Sequence, residues 1–237
     1  MCVNNIAYAD DLVLICPDAR SMNVLLDICS KFAMRHFITY SVVKTVAMII
    51  KPCGMQGFFA PKLFIGANEI KYVHEFKYLG HIVTSDFKDE RDIDRETRNL
   101  YIRGNTIIRK FHFMSLEVKL ALFKAYCYPL YTCSLWSNYR QCDIGKLRVA
   151  YNNILRKLIG VPQWQSARTL FVNLGVRSFN ETVRTTSYSL LQRILQCNNS
   201  VVRAVLHSDC FVQSATRLTW CSNLLTDRNS SWYGLLG

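Results

Sequence analysis

Apolar and polar positions alternate at the start of the chain. Ile6 and Tyr8 fall on one side of an extended segment, Asp10-Asp11 interrupt it, and Leu12 to Ile15 form a short apolar run. This pattern predicts a β-hairpin over residues 3–16 with both aspartates at its tip. Pro17-Asp18 then opens a segment in which Met22, Leu25, Leu26, Cys29, Phe32 and Ala33 recur at helical spacing, which predicts a helix over 19–36 whose stripe is core. A second strand pair is expected around 37–40 and 46–51, broken by Pro52-Cys53-Gly54. A further hairpin, turning at Gly66-Ala67-Asn68, joins Leu63 and Ile65 to Ile70, Tyr72 and Val73, and Phe76 to Val83 supplies one more strand. Residues 1–87 therefore read as α+β.

From residue 88 the period changes to that of helices. Ile93, Leu100, Tyr101, Ile107, Ile108 and Phe111 mark one face, and Arg91, Arg95 and Arg98 another. Gly104 interrupts this helix or ends its first part, at about 1 kcal/mol relative to alanine if it stays helical. Further helices are expected at 115–127, 130–140, 143–159, 166–174 and 180–206, with no assignment for the last thirty or so residues. The chain thus divides into an α+β segment (1–87), a basic helical segment (88–160) and a second helical segment (161–237).

Composition narrows the class. Half of the 237 residues are apolar, enough for one substantial core or two smaller ones without disulfides or metals. The longest apolar runs, such as Leu12 to Cys16, fall far short of the roughly 20 residues that cross a bilayer. No secretory signal is visible at the N-terminus, so a reducing compartment, nucleus or cytoplasm, is the default expectation. The ten cysteines are scattered, unlike a disulfide scaffold, and read as free thiols. Cys127, Cys133 and Cys142, or Cys197, His207, Cys210 and Cys221, give no closely spaced ligand pairs, so no structural zinc is expected.

The net charge of +12 is unevenly spread. Residues 1–87 carry 8 basic and 7 acidic side chains, residues 88–160 carry 14 and 7, and residues 161–237 carry 7 and 3. A downstream basic excess is a footprint for a polyanion such as nucleic acid, and equally the solvated surface of a soluble protein.

Asp10-Asp11 are the candidate chemistry. Adjacent carboxylates repel and raise each other's pKa unless a cation neutralises them. Oxygen ligands suit magnesium, and a carboxylate-held magnesium pair activates an attacking hydroxyl and stabilises the leaving oxygen in phosphoryl transfer. An exposed Asp-Asp turn with solvated side chains has the same local pattern.

The segment Ala7-Tyr8-Ala9-Asp10-Asp11-Leu12 resembles the metal-binding box of reverse transcriptases, and three more segments follow in that family's order. Val43-Lys44-Thr45-Val46-Ala47-Met48 is similar to the next motif, Phe76-Lys77-Tyr78-Leu79-Gly80 to the primer-gripping strand of non-LTR retrotransposon enzymes, and Leu100 to Phe111 to the start of the thumb. Val149 to Arg156 continues the likeness. The resemblance implies a partial polymerase palm followed by an all-α thumb, acting on an RNA template, a DNA primer and deoxynucleoside triphosphates. It makes Asp10 and Asp11 ligands of Mg2+, places Tyr8 beside the primer terminus, and makes Lys44 a general acid toward pyrophosphate. Phe76, Tyr78, Leu79 and Gly80 become the primer grip. Arg98, Arg103, Arg109, Lys110, Lys119 and Lys124 become phosphate contacts, in a stretch where Glu117 is the sole acid.

The family's upstream motifs do not match. Only nine residues precede Asp10, so the aspartate that relatives supply from an earlier strand, and the endonuclease domain, have no counterpart here. Ser41 also stands where many relatives carry asparagine. The expectation is a truncated reverse transcriptase fragment that binds magnesium weakly and is inactive alone. The alternative is a non-enzymatic nucleic-acid-binding module derived from a retrotransposon, and a helical protein-interaction scaffold is a third class.

Overall fold

Asn5–Tyr8 (β1) and Asp11–Leu14 (β2) pair antiparallel in the computed structural model, which describes residues 3–50 and 60–224. Tyr8 stands opposite Asp11, so Ala9 and Asp10 form the turn and Asp11 begins β2, one position off the tip the pattern assigns to it. Ala9 takes a left-handed φ of 52°. That conformation costs a residue with a Cβ roughly 1–2 kcal/mol. The helix Ala19–His36 (α1) follows, with the Asp18 carboxylate accepting from the Ser21 N–H at 2.8 Å. This N-cap satisfies one of the first turn's orphan donors and fixes where the helix starts. Phe37, at φ 56°, ends it with its N–H on Ala33 O.

Residues 37–40 form no strand. Val46–Ala47 (β3) instead pairs in parallel with Lys71–Tyr72 (β6), and Phe64–Ile65 (β4) turns through Gly66-Ala67 into Asn68–Glu69 (β5). The left-handed Phe37 sends the chain off in a direction set by the helix end, and the partner of Val46 comes from 25 positions downstream. The expected break at Pro52-Cys53-Gly54 lies outside the described residues. Leu26 of α1 packs with Leu63, Ile65 and Ile70, flanked by Leu14, Met22, Tyr40, Ala47 and Tyr72. Ser30 Oγ accepts the Gly66 N–H at 3.3 Å, and Tyr72 donates its hydroxyl to Pro61 O at 2.6 Å.

The single strand expected from Phe76 to Val83 is two strands, Glu75–Tyr78 (β7) and His81–Thr84 (β8). Leu79 (φ 46°) and Gly80 (φ 84°) make the turn between them. Two successive positive φ values suit a tight hairpin, whose twist matches the flanking strands. Strand-forming residues stand on both sides of Gly80, Phe76, Tyr78 and Leu79 before it and Ile82 and Val83 after it, which is why the segment read as one strand.

The chain divides into two units, residues 1–78 with 83–87, and residues 79–82 with 88–237. The second is organised by helices Glu90–Lys110 (α2), Leu116–Cys127 (α3) and Gln141–Ile159 (α4). Glu90 and Arg140 lie 3.2 Å apart at the starts of α2 and α4, Gly104 meets Ile154 further along, and Ile108 and Leu158 share one depression near the ends. α2 and α4 therefore run parallel, with α3 returning between their directions. Gly104 does not break α2. A Cβ there would stand 2.6 Å from Ile154 Cγ2, so the glycine is what lets the two helices approach.

Residues 130–140 are not helical. Thr132 has φ 69°, and the segment folds back as turns that bury Leu130, Cys133 and Trp136. The expected helix 180–206 is two, Phe179–Leu195 (α6) and Ser200–Leu206 (α7), because the Asn199 side chain caps the second. Ala167–Asn173 (α5) precedes them, and Asp209–Val212 (α8) and Ala215–Leu224 (α9) follow. One core joins Ile93, Leu100, Phe123, Leu147, Tyr151 and Ile154 to Phe171 and Phe179, so it runs without interruption across residue 160. The protein is α+β, as its pattern predicts.

Candidate functional site

The β1–β2 hairpin presents its residues to solvent. Tyr8 is 63% exposed, Ile6 and Leu12 are exposed beside it, and Asp10 and Asp11 are exposed as well. Tyr8 and Asp11 face each other in register while Asp10 occupies the turn, so three of the expected site residues are brought together. The two carboxylates suit a hard cation in donor type. Among the described residues no group of three or more His, Cys, Asp or Glu side chains converges as a metal site would. Lys44 is exposed in a turn where its N–H and that of Thr45 donate to Ser41 O.

The β7–β8 hairpin carries the other group. The Phe76 and Tyr78 rings are 6.0 Å apart, two residues along one strand and hence on one face. The Leu79-Gly80 turn is held from outside. Tyr131 donates its hydroxyl to Leu79 O at 2.7 Å, and its ring lies against Gly80, where a Cβ would stand 2.9 Å from Tyr131 Cε1.

Behind the turn sits a buried ionic cluster. Asp92, fully buried on α2, accepts from the Ile82 N–H at 3.0 Å, Arg95 Nε at 2.6 Å, Thr132 Oγ1 at 2.5 Å and Trp136 Nε1 at 2.8 Å. Burial pushes this carboxyl upward, but the hydrogen bonds from Arg95, Thr132, Ile82 and Trp136 outweigh it and leave it below the usual range. Glu96, also fully buried, accepts from Arg95 at 3.2 Å and Arg103 at 2.5 Å. Asp89 accepts from the Ser137 and Asn138 N–H groups, both at 2.7 Å, yet burial prevails and raises it. His81 Nε2 lies 3.7 Å from Asp92 Oδ2.

This cluster relocates one expected phosphate contact. The Arg103 guanidinium is on Glu96, its charge balanced inside the unit. Arg98, Arg109, Lys110 and Lys124 are exposed, and Lys119 lines a depression of about 260 Å³ with Ile108, His112, Lys157 and Leu158 to Gly160. Sequence reasoning missed Tyr131, Asp92 and Thr132. Glu96 left a trace, since it lies on the stripe of Ile93, Leu100 and Ile107, where a carboxylate needs a buried partner. Nothing in the sequence pairs Tyr131 with Leu79, 52 positions away.

Over 211 residues the chain is 22% identical to the RNA-directed DNA polymerase from mobile element jockey of Drosophila funebris. The chain is distantly related to a retroelement polymerase. The similarity takes in 83% of this chain and 22% of the jockey polymerase, so the chain spans about a fifth of that relative's length. No family model matches the chain. No solved structure matches it. Among the described residues no helix is long and apolar enough to cross a membrane.

Proposed function

We propose that the chain is a nucleic-acid-binding portion of a non-LTR RNA-directed DNA polymerase, contributing an aspartate hairpin, a primer-contacting hairpin and a thumb. The similarity to the jockey polymerase, which takes in 83% of this chain, is the observation that carries this reading. Residues 1–87 act as part of the palm and residues 88–160 as the thumb. Asp10 and Asp11 would hold Mg2+, and Tyr8, across the hairpin from Asp11, adjoins the primer terminus. Bound metal would activate the attacking hydroxyl and stabilise the leaving oxygen. Lys44 donates a proton to pyrophosphate. Phe76, Tyr78 and the Leu79-Gly80 turn contact the primer strand, with Tyr131 fixing the turn's carbonyl. Arg98, Arg109, Lys110, Lys119 and Lys124 contact phosphates, while Arg103 steadies α2 through Glu96.

Two carboxylates are a weak magnesium site, so these 237 residues on their own bind a primed template and do not extend it. Offering the chain an RNA template with an annealed DNA primer, Mg2+ and deoxynucleoside triphosphates tests both parts. Binding without extension is expected, with affinity reduced by chelation and by Asp10→Ala. Robust extension lost in Asp10→Ala would refute inactivity, and failure to bind primed RNA at low salt would refute the whole reading. The exposure of both aspartates also favours a second reading, a binding module in which they are vestigial. Affinity unchanged by chelation and by Asp10→Ala would select it.

A further inference from the structure

The parallel course of α2 and α4 sorts charge along the helical unit. Asp89, Glu90, Asp92, Asp94 and Glu96 lie around the first turns of α2, and Asp143 lies in the first turn of α4. The opposite end gathers Arg109 and Lys110 from the last turn of α2, Arg156 and Lys157 from the last turn of α4, and Lys119 from α3. Glu117, in the first turn of α3, is the acid on the same stretch.

Basic residues in a helix's last turn have an ordinary explanation, since they offset the partial negative charge of the carbonyl end. That accounts for a pair on each helix. It leaves Lys119, which belongs to the start of α3 and still shares the depression of about 260 Å³ with Lys157 and His112. It also leaves two aromatic rings. Phe113, in the turn that follows α2, is 68% exposed and stands edge-to-face with His112, with centroids 5.3 Å apart at 87°. Trp164, in the loop that follows α4, is 86% exposed. That loop is anchored: Arg156 Nε donates to Gln165 O at 2.9 Å, and the Gln165 N–H donates to Pro162 O at 3.1 Å. A large ring left in water on a fixed loop, at the end of a bundle where cations outnumber acids, fits a ligand with negative charges and flat apolar faces.

We infer that this end of the helical unit binds single-stranded polynucleotide, with Lys119 and Lys157 on phosphates and bases stacked on Trp164 and Phe113. Base stacking on an aromatic side chain, combined with a cationic track for the backbone, is the general chemistry of single-strand binding. A duplex keeps its base faces covered and satisfies the cations alone. The inference rests on the nucleic-acid reading above and adds a site built wholly from the helical unit. It uses Phe113, Lys157 and Trp164, which the sequence motifs do not mark.

The test uses the full chain and a labelled 15-nucleotide single strand of mixed sequence, followed by anisotropy over a salt series. Trp164→Ala is expected to weaken binding about tenfold or more, as loss of one stacked base does, while Trp164→Phe retains most of the affinity. Subtracting the Trp164→Phe emission from that of the parent isolates the Trp164 signal, which should be quenched on binding. Lys119→Gln with Lys157→Gln should flatten the slope of log affinity against log salt by about 1.4, at roughly 0.7 per phosphate contact on a single strand. Circular dichroism melts establish that the variants fold, at two exposed positions, Lys157 and Trp164, and one half-buried one, Lys119. Unchanged affinity in folded Trp164→Ala overturns the inference, and so does equal competition by inorganic polyphosphate, which has charge and no bases. If primed duplex still binds in that case, the polymerase reading stands without this site. If no polynucleotide binds at low salt, both fall together.

Discussion

Replacing Gly104 with alanine sets two opposed effects against each other at one position. A glycine inside a helix costs about 1 kcal/mol relative to alanine, so on an open surface the change would stabilise α2 by that amount. Gly104 is not on an open surface. The added methyl would stand 2.6, 2.7 and 2.8 Å from Cγ2, Cδ1 and Cγ1 of Ile154, a side chain that is itself buried in α4. Cγ1 and Cγ2 both branch from Cβ, so every staggered χ1 leaves at least one of them facing the glycine, and a β-branched residue in a helix has one strongly preferred χ1 in any case. The helices must separate or the side chain must leave its rotamer, at about 1–3 kcal/mol for overpacking of this kind. The balance is a net destabilisation of about 1 kcal/mol. Ile154→Ala removes all three obstructing atoms, at about 2–5 kcal/mol for the cavity it opens. In that background Gly104→Ala should stabilise by about 1 kcal/mol, which gives a coupling of about 2 kcal/mol between the two positions. Urea unfolding followed by tryptophan emission reads this unit, since Trp136 and Trp220 are both buried in it. A Gly104→Ala protein more stable than the parent, or the same change in both backgrounds, would refute the close approach as the reason for the glycine.

Other expectations follow from the buried groups. Asp92 titrates below its ordinary value of 3.8 in the folded state, so its stabilisation is complete above that value and is lost as pH falls through the lowered one. Asp89 is raised by burial and works in the opposite sense, its contribution present below 3.8 and lost as pH rises through the folded value. Acid unfolding should therefore become shallower in Asp92→Asn and steeper in Asp89→Asn, and identical acid limbs in both would contradict the assignment. Cys127 and Cys133 are pushed up to about 12 by burial, whereas Cys142 and Cys210 are exposed. Iodoacetamide at pH 8 should label the exposed pair in the native protein and the buried pair only in denaturant, as mass spectrometry of the peptides would show. Tyr131→Phe removes the hydrogen bond to Leu79 O and should cost about 0.5–1.5 kcal/mol. If the turn serves the primer, this variant also weakens primed-template binding more than single-strand binding.

The helix over 19–36 was legible because several independent signals agreed: a Pro-Asp start, a capping carboxylate and an apolar stripe. The Tyr8–Asp11 hairpin was legible for the same reason. The failures have physical causes of one kind. Residues 76–83 carry strand-like apolar residues on both sides of Gly80, and the positive φ values at Leu79 and Gly80 show that the chain reverses there. Residues 130–140 have helical spacing, but Leu130, Cys133 and Trp136 face a core that the turns reach by folding back through Thr132. Gly104 read as a weakness in its helix because a sequence records what glycine lacks and not what approaches it. Arg103 read as a surface cation because the sequence does not say which cation the stripe carboxylate Glu96, seven positions earlier on the same helix, takes as its buried partner. In each case the deciding contact is with something the local pattern does not contain.

The bond from the Ile82 N–H to Asp92, with that from Tyr131 to Leu79 O, bears on how this protein can be cut. The helical unit takes in residues 79–82, and Val83–Phe87 belong to the other unit, so the chain crosses between the two more than once. A fragment begun at Lys88, where the helical period starts, would leave Asp92 short of one of its donors and Tyr131 without its acceptor. The same holds for exchange between related chains. A helical half grafted at residue 88 onto a related chain arrives with its buried aspartate expecting a backbone amide from its own hairpin, and the smallest transferable piece is one that brings the Leu79-Gly80 turn with it.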